Sequence, residues 1–105
     1  MFDKLFEAQQ KAEEIKKRLD TISVSGEAEG GVIRVVANGN KYISEIHIDP
    51  EFLKSADREE LEELLAVAVN KAVQSAEQVS QAEMQAATKD MLGGMGGLGN
   101  LFGNK

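Results

Sequence analysis

Apolar side chains in the first 22 residues fall at Met1, Leu5, Ala8, Ala12, Ile15, Leu19 and Ile22, in steps that alternate between four and three. That spacing draws one stripe down an α-helix, and Phe2 and Phe6 widen its first turns. Gln, Lys and Glu occupy most of the remaining positions and are good helix formers. The helix is expected to fade near Asp20, where Thr21-Ile22-Ser23-Val24 begins an alternation that favours strand. A second helical rhythm runs through Leu61, Leu65, Ala68, Ala72, Ser75, Val79, Ala82 and Ala86. Leu64, Val69, Val73 and Ala76 broaden its stripe. Asp57, with Glu60 three positions on, has the form of a capping box, and no Gly or Pro intervenes before Gly93. A helix over 57–92 follows.

Between the helical patterns the chain reads as three strands, over about 22–29, 31–37 and 41–48, punctuated by Gly26, Gly30-Gly31 and Asn38-Gly39-Asn40. The last of these predicts a tight turn with Gly39 at positive φ. A two-residue Gly39-Asn40 loop would set Arg34 opposite Glu45, Val36 opposite Ile43 and Ile33 opposite Ile46. Strand parity then places Ile33, Val35, Ala37, Tyr42, Ser44, Ile46 and Ile48 on the face that covers the helices. Val32, Arg34, Val36, Lys41, Ile43, Glu45 and His47 fall on a mixed, partly wet face. Asp49-Pro50 closes the third strand. The fold class is therefore α+β, an α-β-β-β-α subunit with a three-stranded antiparallel sheet and a long C-terminal helix. Residues 1–92 form a single domain, and 93–105 are expected to be a flexible Gly/Met-rich tail, because ordering so many glycines costs entropy for little burial.

The length of the last helix bears on assembly. Residues 57–92 would span on the order of 50 Å. A compact domain of this size has a radius of gyration of roughly 13 Å. The apolar stripe therefore outruns the domain that would have to cover it, which predicts a homodimer. Small residues in its second half (Ala68, Ala72, Ala76, Ala82, Ala86, Ala87) would permit close helix approach.

Composition narrows the chemistry. The chain has 105 residues and no Cys, which excludes disulfides, thiol nucleophiles and thiolate metal sites. No apolar run reaches the roughly 18 residues of a membrane span. The opening MFDKLFEAQQ lacks the basic and apolar regions of a signal peptide, so a cytoplasmic location is expected. The net charge of −6 disfavours simple attraction to nucleic acid. Its distribution matters more than its sum. Residues 1–22 carry five basic and five acidic groups, whereas 50–92 carry four basic and nine acidic.

Candidate sites are few. Gly94-Met95-Gly96-Gly97-Leu98-Gly99 matches G-x-G-x-x-G, but it follows a helix instead of joining a strand to one, so pyrophosphate chemistry is not expected. His47 is the single histidine, which rules out an all-His or Cys/His metal site within one chain; a structural or solvated role on the sheet is expected. Glu59, Glu60, Glu62 and Glu63 suit the positive end of a helix dipole. A docking surface for a basic partner is the alternative. Lys16-Lys17-Arg18, with Lys4 and Lys11 upstream, is the densest basic run. Its bland explanation is a solvated face with Glu13–Lys17 and Glu14–Arg18 pairs at i,i+4. No constellation for catalysis, a cofactor or a metal emerges, and the chain is expected not to be an enzyme.

Several segments together resemble the YbaB/EbfC family of bacterial nucleoid-associated proteins: AQQKAEEIKKRL, Gly30-Gly31-Val32, Val35-x-x-Asn38-Gly39 and Ile46-x-Ile48-Asp49-Pro50-Glu51-Phe52-Leu53, then the alanine-rich helix and the Gly/Met-rich tail. The resemblance implies a tight, tweezer-shaped homodimer that binds duplex DNA in the nucleoid, influences gene expression, and has no enzymatic activity or cofactor. Lys11, Lys16, Lys17 and Arg18 are the candidate phosphate contacts, with Arg34 and Lys41 as a fallback surface. A dimeric adaptor for a replication or recombinational-repair protein is the alternative function.

Overall fold

The computed structural model describes residues 2–94. Its elements are α1 (Phe2–Asp20), β1 (Ser23–Ala28), β2 (Ile33–Asn38), β3 (Ile43–Ile48), α2 (Pro50–Ser55) and α3 (Arg58–Gly94), with a turn of 3-10 helix over Glu29–Gly31. The sheet is antiparallel in the order β1-β2-β3. The expected α-β-β-β-α order is present with one addition, the short α2. Asp49-Pro50 does end β3, and it also starts this helix. The Asp49 carboxylate accepts from Phe52 N at 3.0 Å, and Pro50 takes the first turn, where its missing N–H costs nothing. Asp57 caps α3 likewise, its Oδ1 accepting from Glu60 N at 2.8 Å. The tail, apart from its first two residues at the end of α3, lies outside the described residues.

Helix α3 lies across β1 and β2. Ala68 and Ala72 are fully buried on its sheet-facing side with Ala28, Ile33, Val35 and Ala37, and Ala76 is fully buried one turn further on. Small side chains bring the helix down until its backbone reaches the strand. A methyl group added at Gly26 would sit 2.5 Å from Ala68 O and closer still to Ala72 N. No rotamer change relieves a clash with backbone, so β1 requires glycine there.

Cross-strand register sets three rows on this face: Val24–Ala37–Ile43, Gly26–Val35–Ile46 and Ala28–Ile33–Ile48. The expected pairs Arg34–Glu45, Val36–Ile43 and Ile33–Ile46 do not form. Arg34 instead faces His47, Val36 faces Glu45 and Ile33 faces Ile48. The cause is the loop. Asn38 N donates to Tyr42 O at 2.9 Å, and Lys41 N to Asn38 O at 3.0 Å, enclosing three residues instead of two. Lys41, at φ 71°, takes the left-handed position that Gly39 was expected to hold. A bulge between Val36 and Ala37 and their β3 partners then skips Ser44. Ile43 therefore joins the helix-covered face, while Tyr42 and Ser44 are exposed.

Coverage of that face is incomplete. Ile46, beside fully buried Val35, is 48% exposed because α3 sits toward β1. Among the described residues of the α1 stripe only Ile15 and Leu19 are buried, whereas Leu5 and Phe6 are each 64% exposed. Ala82 and Ala86 on α3 are also exposed. The radius of gyration is 19.7 Å, with extents of 63 × 31 × 17 Å, far longer than the roughly 13 Å expected of a compact domain. Gly26→Ala should destabilise the fold by about 3 kcal/mol or more, above the usual overpacking range because backbone must move. Urea unfolding of the variant measures this, and a loss under about 1 kcal/mol would contradict the close approach.

Candidate nucleic-acid interface

Helix α1 ends on the β2–β3 loop. Gly39 N donates to Leu19 O at 2.9 Å, and a Cβ at Gly39 would meet the Leu19 side chain at 2.8 Å. Close approach, not positive φ, is why glycine stands there. Asn40 Nδ2 donates to Lys16 O at 2.9 Å and to Asp20 Oδ1 at 2.6 Å, reaching two positions on the last turns of the helix. The loop is itself held by Asn38, whose Oδ1 accepts from Asn40 N at 2.8 Å and Tyr42 N at 3.1 Å.

The basic run sits on this anchored end. Lys11, Lys16 and Lys17 are exposed, and among the described residues none of them pairs with a carboxylate. Arg18 differs. Its Nε lies 2.8 Å from Glu83 Oε1, an ion pair that joins α1 to α3 in place of the expected Glu14–Arg18 pair. Glu13–Lys17 is likewise absent among the described pairs. Contact through Nε leaves the two terminal nitrogens of the Arg18 guanidinium open to another anion. All four sequence candidates thus lie on α1, with three of them in consecutive positions at its C-terminal end. Lys41, in the adjoining loop, is 3.6 Å from Glu77. Arg34 stands apart on the opposite sheet face, in a row with Glu27 and His47.

His47 is half-exposed and its Nε2 lies 2.6 Å from Glu45 Oε1, two positions back on the same face. Glu59, Glu60, Glu62 and Glu63 are exposed at the start of α3, where they complement the helix dipole, and Arg58 reaches Glu62 at 3.6 Å. Among the described residues no group of three or more His, Cys, Asp or Glu side chains is placed to hold a metal ion, and no helix is long and apolar enough to cross a membrane. The glycine motif beyond Gly94 lies outside the described residues. Sequence reasoning missed Asp20, Asn40 and Glu83, each of which meets its partner across about 20 or more positions. Asparagine in a turn was the one available signal.

The family model described as the YbaB/EbfC DNA-binding family matches residues 1–91, from α1 through nearly all of α3. The chain belongs to the YbaB/EbfC DNA-binding family. Among its relatives, a nucleoid-associated protein of Flavobacterium johnsoniae is 35% identical over 102 residues, covering 97% of this chain and 94% of that one. One from Koribacter versatilis is 42% identical over 89 residues, covering 85% and 84%. One from Chlorobaculum tepidum is 36% identical over 92 residues, covering 88% and 81%. The crystal structure of an uncharacterised protein from Helicobacter pylori superposes with a TM-score of 0.63 at 19% identity, covering 74% of this chain and 90% of that one. That likeness shares the fold. The segments of the YbaB/EbfC chain that form the loop and the basic turn both fall inside the matched span.

The Arg18–Glu83 pair should couple weakly in stability. Arg18 is 58% exposed and Glu83 27%, so solvent screens much of the attraction. A double-mutant cycle with Arg18→Gln and Glu83→Gln should give about 0.2–1 kcal/mol. Coupling above about 2 kcal/mol would mean that the pair is far more shielded than its exposure implies.

Proposed function

We propose that this protein is a homodimer that binds duplex DNA in the nucleoid, mainly through phosphate contacts from the C-terminal turns of α1. The observation that carries the reading is the YbaB/EbfC DNA-binding family match over residues 1–91. The names of its relatives, nucleoid-associated proteins, support the setting. The geometry adds a surface suited to the task. Lys11, Lys16 and Lys17 are free of carboxylate partners among the described residues, and Arg18 keeps two nitrogens open. Contacts of this kind neutralise phosphate and release counterions, and they position a protein without reading bases. An influence on gene expression would follow from occupancy of DNA, with no catalytic step and no cofactor.

A second copy accounts for the uncovered apolar surface. Ile46 on the sheet, Leu5 and Phe6 on α1 and Val67 on α3 are large apolar residues left exposed by one chain. Two-fold pairing would also repeat the basic turn at a fixed spacing, so a modest cluster becomes two. That is how a chain of net charge −6 can hold a polyanion: the acidic excess is concentrated on α3, while α1 is locally neutral.

Replacing Lys16, Lys17 and Arg18 together by Gln should weaken duplex binding in gel-shift titrations. It should also flatten the slope of log K against log salt by up to about five, at about 0.9 for each of the six cations removed from a dimer, while the dimer persists. Unchanged affinity and slope, with binding lost in an Arg34/Lys41 double variant, would move the interface to the sheet and its loop. A wild-type protein that ignores duplex DNA even at low salt would favour the adaptor function.

Sedimentation should find a dimer at micromolar concentration. Val73→Asp and Val79→Asp, half-buried on α3, should dissociate or unfold it, because an unpaired charge is costly to bury. Wild-type size and stability in both variants would place those side chains outside any interface.

A further inference from the structure

The basic turn of α1 is fixed by the β2–β3 loop, and we propose that Asn40 is the positioning residue that presents Lys16 and Lys17 to DNA. This deepens the DNA-binding reading and rests on it. The last carbonyls of a helix have no partner within it. Here Gly39 N serves Leu19 O at 2.9 Å and the Thr21 hydroxyl serves Arg18 O at 2.7 Å, while Asn40 Nδ2 reaches further back along the helix and donates to Lys16 O at 2.9 Å. The same Asn40 amide group also donates to Asp20 Oδ1 at 2.6 Å, so one uncharged side chain ties both ends of the segment 16–20 to the loop. The loop is a firm base. Asn38 Oδ1 holds both Asn40 N and Tyr42 N, and Gly39 is pressed against Leu19.

The N-terminal part of α1 is loosely held by comparison. Among the described residues the α1 stripe is buried only at Ile15 and Leu19, and Leu5 and Phe6 face solvent. The orientation of Lys16 and Lys17 is therefore set where Asn40 bonds the Lys16 carbonyl and the Asp20 carboxylate. A surface ordered before binding loses less conformational entropy when it binds. Because Asn40 carries no charge, its contribution separates cleanly from that of the cations. A residue that touches phosphate changes the salt slope; a residue that only orients the helix changes affinity at constant slope.

Asn40→Ala in the full chain should weaken binding to a short duplex about fivefold at fixed salt, with the wild-type salt slope retained. Asp20→Ala supplies a test of sign. Charge alone predicts tighter binding, since an anion beside the basic turn is removed. Loss of the second Asn40 acceptor predicts binding no tighter than wild type. Circular dichroism and sedimentation check that each variant is folded and assembled, and if Asn40→Ala does not fold, Asp20→Ala decides alone. Wild-type affinity in Asn40→Ala, a flattened slope in that variant, or tighter binding in Asp20→Ala would overturn the positioning role. Failure of the wild-type protein to bind the duplex at low salt would overturn the DNA-binding reading beneath it.

Discussion

The backbone of α3 meets the backbone of β1 at Gly26, and the rest of the molecule is arranged around that approach. Ala68 and Ala72 leave room for it, and Ala28, Val35 and Ile33 close around it. A helix drawn so near one edge of a three-stranded sheet cannot also cover the other edge. Ile46 is left half-exposed on a row whose central member, Val35, is fully buried. Continuing beyond the sheet, α3 keeps an apolar side that its own chain shelters only in part. The same approach therefore anchors the fold and leaves apolar surface uncovered.

A second constraint joins α1 to this frame at one end. Leu19 packs on Gly39, Asn40 holds the carbonyl of Lys16, and Arg18 reaches Glu83. The helix is fixed where it carries its basic run, and its opposite end projects. Structural restraint and charge thus coincide on the same turns. That coincidence is what makes an otherwise generic Lys-Lys-Arg sequence a candidate interface.

Periodicity made the two long helices and the three strands legible, because a four-three rhythm and a two-residue alternation cannot both suit one conformation. Asp57 announced its cap by residue type. The hairpin register was not legible in the same way. Loop length turned on the Asn38 side chain bonding Asn40 N and Tyr42 N, and on Lys41 accepting a left-handed backbone. Nothing in Asn-Gly-Asn distinguishes that loop from the shorter one. The short α2 was hidden because Asp-Pro signals a strand end and a helix start equally well. Gly26 and Gly39 read as turn residues, yet both are required by a neighbour's proximity. The Lys16-Lys17-Arg18 run was visible as charge, whereas Asn40 and Glu83 acquire their roles only when distant segments meet.

An acidic protein can hold a polyanion when its charge is divided in space, acidic along α3 and neutral to basic along α1. Pairing across a two-fold axis would present that basic turn twice to one duplex. The most direct measurement is the composition of the complex, by native mass spectrometry or sedimentation with a duplex of about 20 base pairs, roughly two helical turns. At low salt the expected species contains two chains per duplex and dissolves as salt rises. A complex holding a single chain, or one indifferent to salt, would contradict a dimer that grips phosphate.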